Sequence, residues 1–346
     1  MTDGPNSTGV VGEPLLGGVS APPFVIEADV RPHYYTAATH RSLIRSIKVT
    51  NVGYAGASEE MLVTVGADAV GAPNLLVPSR RMYPIPRLKD QVEIDILGIR
   101  PHLPALASLD EAVKGDVVVT VSVGGVVIEE SRVPVEFLAY NQWFHSNLDY
   151  ECLTSFVLPN HPLVAEIMVG VRNRLKEATG DGSTEGYQGY KQSFDYGRAR
   201  VLAMVQAIYD ELCSRGLKYS DPPASFEGYG QKVRTPDVIV REGAMTCLDS
   251  TVLVASCLAA AGLSPLLFLV RGHAFPGFWL TPWNSVDDDG DPSVDHSRDA
   301  TISNINKFQL LDSRGLIGSL ESTMIGGGPG RPFAEAFNIH KMYSTG

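Results

Sequence analysis

The sequence predicts an α+β protein built as a β-sandwich over residues 22–140 and an α+β domain over residues 141–346, behind a flexible tail at 1–21. Three observations carry this. Short runs of alternating, β-branched residues dominate up to about Tyr140. Helical signals are scarce before Trp143 and dominate the texture after it. A long run of small and apolar residues, GAMTCLDSTVLVASCLAAAGLSPLLFLVRGHAFPGFW, then reads as a buried helix followed by buried strands.

The tail is rich in Gly, Pro, Ser and Thr, too poor in apolar side chains to pack. FVIEADV alternates Phe24, Ile26, Ala28 and Val30. IRSIKVTN, MLVTV and QVEIDI continue the two-residue period. DVVVTVSV and VVIEES flank Gly124-Gly125, the turn chemistry of a tight hairpin. The one helical signal is Leu106 to Val113. Six to eight short strands in this stretch predict an immunoglobulin-like sandwich.

In the second domain, PNHPLVAEIMVGVRNRLKEATG is a helix, with Asn160 or His161 near its N-cap, Pro162 in its first turn and Gly180 near its end. Leu163, Ile167, Val171 and Leu175 form its stripe. A second helix runs from about Tyr196 to Cys213. Ser220 to Pro236 reads as loop, and KFQLLD as a strand.

Composition excludes some functions. The 346 residues are 44% hydrophobic and 19% charged, enough for packed cores. The net charge is -11 and the pI about 5.2, which disfavours a direct nucleic-acid surface. No run is apolar enough for a membrane span, and MTDGPNSTGVVGEP lacks a basic secretory start. Cys152, Cys213, Cys247 and Cys257 have no metal spacing, so a reduced, cytoplasmic protein without metal or cofactor is expected. The acidic loop VDDDGDPSVDHSRD fails the calcium-loop register and reads as solvated. GGGPGRP lacks the ending of a phosphate loop and reads as a connector.

Cys247 falls at the start of the alanine-rich helix, where unpaired amides and the positive dipole end favour a thiolate. That helix, about 15 residues at 1.5 Å each, carries the chain roughly 22 Å. The following strand, about seven residues at roughly 3.3 Å each, brings it back about 23 Å. The chain therefore returns to His273 beside its starting point. Only Arg271-Gly272 separates SPLLFLV from HAFPGFWL, so the two are either joined by a tight turn or form one bent strand. If KFQLLD pairs antiparallel with HAFPGFWL, Asp312 at its end sits beside His273. Nucleophile, base and orienting acid then follow in the order Cys247, His273, Asp312. Gln231 and Gln188 are candidates for a side-chain oxyanion donor, beside the Cys247 amide. Trp279 and Phe278 wall the cleft or fill the core, Tyr229 and Arg234 contact substrate or pin the loop, and Asp249 caps the helix. Cys257, Cys152 and Cys213 read as structural.

These residues resemble the transglutaminase-like cysteine-enzyme superfamily, whose core is papain-like. Residues 40 to 320 look like a module near the N-terminus of large bacterial proteins that continue into helicase and nuclease domains. The matching pieces are IRSIKVTN, VEFLAYNQW, FVLPNHP, GYQGY, DPPASFEGYGQKVRTPDVI, TCLDSTVLVASCLAAAGL and RGHAFPGFWL. The resemblance implies Cys247 as nucleophile, His273 as base and Asp312 as orienter. It also implies the N-terminal sandwich, and a protease, amidase or transglutaminase-like reaction on a protein or peptide substrate. The alternative it implies is a non-catalytic scaffold for a helicase or nuclease partner on the same or another chain, in defence against foreign DNA or phage.

Overall fold

The structure is a computed structural model that describes residues 21–34, 42–72, 74–144, 150–184, 194–221, 230–281, 301–327 and 331–342. The protein is α+β and divides into two compact units, Met1–Tyr140 and Asn141–Gly346. The tail through residue 20, the acidic loop, Gln188, Tyr229 and the centre of GGGPGRP lie outside the described residues.

Among the described residues the first unit carries ten strands: β1 (Phe24–Val30), β2 (His33–Tyr34), β3 (Ile44–Asn51), β4 (Glu60–Ala69), β5 (Leu76–Val77), β6 (Ser79–Pro84), β7 (Gln91–Glu93), β8 (Arg100–Pro101), β9 (Val113–Val123) and β10 (Val126–Phe137). They form a three-stranded sheet ordered β1-β3-β7 and a five-stranded sheet ordered β2-β10-β9-β4-β6. A β5-β8 pair stands apart. One apolar core takes Phe24, Ile44, Ile47 and Val49 from the first sheet and Met61, Val63, Val117, Val119 and Val121 from the second. The two-residue period sends every second side chain inward, and a register irregularity at Arg45 turns Ile44 inward as well as Ile47. The Gly124-Gly125 turn takes φ of 58° and 83°, both in the left-handed region that a type I′ turn needs and glycine supplies without strain.

The helical signal in this unit is shifted. Helix α1 covers Leu103–Ala107, with His102 accepting from the Ala105 amide and a proline in its first turn. Val113, expected to end the helix, starts β9 instead. The β-branched run after it outweighs helical spacing.

In the second unit, α2 (Pro162–Thr179) is capped by His161, whose side chain accepts from the Leu163 amide, and closed by Gly180 at φ 79°. Helix α3 covers Phe194–Ser214. A short helix α4 (Pro236–Glu242) begins at the last residue of the expected loop, started by Pro236 after Thr235. Pairs β11 (Gln142–Trp143) with β13 (Gln231–Lys232), and β12 (Lys218–Tyr219) with β14 (Ala244–Met245), frame the chain before Cys247.

Helix α5 (Cys247–Ala260) is the centre of this unit, buried from Cys247 to Leu258. It packs against α2 and α3 and against the sheet that follows it. Such all-round burial explains why its sequence shows no polar stripe. The sheet is ordered β15 (Pro265–Val270), β16 (His273–Trp279), β17 (Ile317–Ser319), antiparallel throughout. Val270 pairs directly with His273 across Arg271-Gly272, and Gly272 takes φ 75°. The two runs are thus joined by a tight two-residue turn.

KFQLLD is not a strand. It lies in helix α6 (Ile305–Ser313), capped by the Asn304 side chain accepting from the Asn306 amide. Phe308 and Leu311, three residues apart, pack on Trp279, Leu316 and Ile317. That spacing suits a helix lying on the sheet, not a strand within it. The third strand is the next segment, GLIGS. A short helix α7 (Phe333–Ala336) and a 3-10 turn at Ile339–Met342 close the described chain.

Candidate active site

Cys247 is the first residue of α5 and is buried at 8% exposure. Thr246 before it forms a capping box with Asp249: the Thr246 hydroxyl accepts from the Asp249 amide, and Asp249 accepts from the Thr246 amide at 2.9 Å. The first-turn amides of Cys247 and Leu248 have no acceptor within the helix, so this end carries positive character toward the thiol. Downstream, Ser250 and Thr251 both donate to the Cys247 carbonyl, at 3.0 and 2.6 Å.

Asp249 is wholly buried and accepts from the Arg234 amide and guanidinium, each at 2.8 Å. Arg234 also reaches Glu242 at 2.8 Å. Arg234 therefore pins the segment before the helix onto its first turn. Gln231, 3% exposed, donates from its side-chain amide to the Thr246 hydroxyl at 2.8 Å. It braces the N-cap of the helix that carries Cys247. Phe278 is core, and Trp279 packs between α6 and β17. Cys152, Cys213 and Cys257 are buried and lie outside this cluster. Burial pushes the Cys257 thiol up to about 12 and the Cys213 thiol upward too, which suits packing rather than nucleophilic work.

His273 opens β16, near enough to Cys247 for the thiol to act on its imidazole. On its other side, Nε2–H donates to Glu321 Oε2 at 3.0 Å, leaving Nδ1 for the thiol. Glu321 Oε1 accepts from the Thr323 amide at 3.1 Å and from the Thr323 hydroxyl. Each carboxylate oxygen thus has a defined partner. Cys247 and Glu321 raise the His273 imidazole to about 9, against the opposing effect of its burial. Burial pushes Glu321 up, yet the His273 and Thr323 hydrogen bonds outweigh it and hold its carboxyl below the usual range. Tyr219 faces the same cluster: burial first, then the charges at Cys247, Asp221 and Glu321, raise its phenol.

The third member of the cluster is therefore Glu321, not Asp312. Asp312 sits in α6, where its Oδ1 accepts from His340 Nε2 at 2.8 Å. The antiparallel reasoning that placed an acid opposite His273 applies, but to β17. Gly277 pairs with Ser319, and in the same register the chain beyond Ser319 runs toward the His273 end of β16.

Pro276 decides where β17 stops. The Leu320 amide donates to the Pro276 carbonyl at 2.9 Å. The reciprocal bond needs an N–H that proline lacks. The ladder is half made there, and Leu320 bridges Phe337 instead. Glu321 follows at once, and Ser322 accepts or donates a 2.8 Å hydrogen bond with Ser250 on α5. The acid is thereby tied to the helix that carries Cys247.

The sequence held two signals for Glu321: an apolar run, LIGSL, ending in an acid, and the antiparallel rule. Among the described residues no group of three or more His, Cys, Asp or Glu side chains could hold a metal ion, and no helix is long and apolar enough to cross a membrane. No family model, curated protein or solved structure matches the chain.

Proposed function

We propose that this protein is a cysteine-dependent acyl-transfer enzyme of transglutaminase-like kind, with Cys247 as nucleophile, His273 as acid and base, and Glu321 as the orienting acid. The observation that carries the reading is the position of His273, beside the Cys247 thiol at the start of α5 and hydrogen-bonded to Glu321 at 3.0 Å. The helix start, the single acid and the antiparallel strand also fit a papain-like core, and the two sheets of the first unit fit an immunoglobulin-like sandwich.

A raised imidazole favours the imidazolium beside a thiolate. In the reaction, the Cys247 sulfur attacks the carbonyl carbon of a peptide or carboxamide. The carbonyl π pair moves to oxygen, which the Cys247 backbone N–H receives. The second amide hydrogen of Gln231 is the candidate partner donor. Imidazolium gives its proton to the leaving nitrogen as the C–N bond breaks, leaving a thioester. Water or an amine then attacks, neutral His273 takes its proton, and the thiolate leaves. Hydrolysis needs no second-substrate site and is the simpler outcome.

Iodoacetamide alkylation of Cys247, followed by peptide mass spectrometry across pH, tests this. At pH 7 Cys247 is expected to react at least tenfold faster in the wild type than in His273→Gln. Equal rates overturn the activated nucleophile. If Cys247→Ala leaves biological activity intact, the chain is a scaffold for a helicase or nuclease partner instead.

A further inference from the structure

The molecule holds a second acid–imidazole pair that the proposed reaction does not touch. His340, 1% exposed, lies in the closing 3-10 turn. Its Nε2–H donates to Asp312 Oδ1 at 2.8 Å. With that nitrogen protonated, Nδ1 accepts from the Ser319 hydroxyl at 2.6 Å. Ser319 Oγ in turn accepts from the His340 backbone N–H at 3.0 Å. The ring lies parallel to Phe268, with 6.0 Å between ring centroids, and edge-on to Phe308 at 5.6 Å. Ser319 is fully buried, so it is no nucleophile for an outside substrate.

What Ser319 does have is position. It is the last residue of β17, two before Glu321. The same closing segment grips this stretch along its backbone. The Asn338 amide donates to the Ser319 carbonyl, and the Glu321 amide donates to the Ala336 carbonyl, each at 2.8 Å. Leu320 bridges Phe337 between them. Because Pro276 cannot complete the β16–β17 ladder here, the closing segment supplies the pairing that the sheet does not. Three anchors converge on Glu321: Ala336 at its amide, Thr323 at one oxygen, and the His340 clamp two residues upstream.

We infer that His340, held between Asp312 on α6 and Ser319 on β17, is a positioning residue that sets where Glu321 meets His273. The inference rests on the Cys247–His273–Glu321 reading above. A satisfied buried hydrogen-bond chain has few alternative arrangements, since breaking either bond strands a buried polar group. It fixes the strand end, and the acid leaves that end with little freedom. Catalytic groups need placement to within about half an ångström, which loops alone hold poorly.

The test compares His340→Gln, Asp312→Asn and Ser319→Ala with Glu321→Gln. The titratable groups facing His273 are Cys247 on α5, Glu321 after β17, and Tyr219 with Asp221 beyond them; those facing His340 are Asp312 and the Ser319 hydroxyl. Two quantities are read on each folded variant: the His273 pKa by NMR of its ring protons, and the midpoint pH of Cys247 alkylation. Glu321→Gln lowers the first and raises the second most. The His340, Asp312 and Ser319 variants are expected to move both in the same directions, by about half a pH unit or more, with thermal melts still cooperative. If Glu321→Gln moves both and the three others move neither, the clamp is only structural and the inference falls while the cysteine reading stands. If the wild-type alkylation midpoint is that of an ordinary thiol, the cysteine reading falls, and the NMR values alone decide whether His340 governs His273. If His340→Gln does not fold, Asp312→Asn and Ser319→Ala decide the matter. Loss of folding in all three overturns a specific positioning role.

Discussion

Two imidazoles in the second unit have the same partners by type. His273 lies between a glutamate and a thiol, and His340 between an aspartate and a serine hydroxyl. Bond lengths do not separate them: the acid contacts are 3.0 and 2.8 Å. Surroundings do. His273 keeps 19% of its side chain exposed and its thiol heads a helix, whereas His340 and Ser319 are sealed between aromatic rings and a strand end. An acid–histidine–nucleophile chain is thus a reactive site only where a substrate can reach the nucleophile and an oxyanion has donors waiting. Elsewhere the same three groups are a clamp.

The largest expected effect separates the two nucleophile types. Cys247→Ala should cost about 10³-fold or more in turnover of an activated acyl probe such as p-nitrophenyl acetate, because the remaining binding elements rescue little. Ser319→Ala should stay within about tenfold of wild type. Equal losses with both proteins folded would erase the distinction.

Next is the pH dependence of stability. The His273 pKa is raised above 6.5 to about 9 in the folded state, so its stabilising effect is fully present below about pH 6.5 and fades as pH rises toward 9. Glu321, held below its ordinary value, contributes above that value and loses its contribution on acidification. Urea midpoints measured from pH 5 to 9.5 should therefore fall on the alkaline side in wild type. The fall should flatten in Glu321→Gln and persist, less steeply, in Asp312→Asn. A flat wild-type profile contradicts the ion pair.

Backbone crowding gives the third. A Cβ at Gly277 would come 2.8 Å from the Gly318 carbonyl and collide with the Phe268 ring. Gly277→Ala should destabilise by about 1–3 kcal/mol, an overpacking cost, and disturb β17 and with it Glu321. Calorimetry together with the alkylation midpoint checks both consequences.

The smallest effect concerns the tie between helix and acid. Ser250→Ala removes the Ser250–Ser322 bond, leaving a buried hydroxyl alone, together with one of the two side-chain donors to the Cys247 carbonyl, for about 1–3 kcal/mol. Its alkylation midpoint should move less than in Glu321→Gln. A larger move would make Ser250, rather than the His340 clamp, the main support of the acid.

Much of this was readable from residues, and the reasons are uneven. The long strands of the first unit announce themselves because one face meets a single core, which forces alternation, as at Met61, Val63 and Val65 of β4. Cys247 and His273 are legible together because Cys247 heads a helix and because that helix and the returning strand cover similar distances. The acid is displaced because KFQLLD, expected as the antiparallel strand beside HAFPGFWL, is a helix. Its spacing of Phe308 and Leu311, and Asn304 as a cap, are helical. β17 has only three residues, too short for any periodicity to show. His340 and its partners are scattered through the chain, and only the packing of the closing segment on the sheet brings them together.

Pro276 has no acid, base or nucleophile to offer, yet it marks the place where the third strand stops copying the second. A residue with an N–H there would allow the missing rung and invite Leu320 and Glu321 to continue as strand, alternating their side chains by the sheet's own period. The acid's direction would then be dictated by pleating instead of by the segment that now holds it. A donor absent from the backbone thus decides the aim of a carboxylate two residues beyond the end of β17.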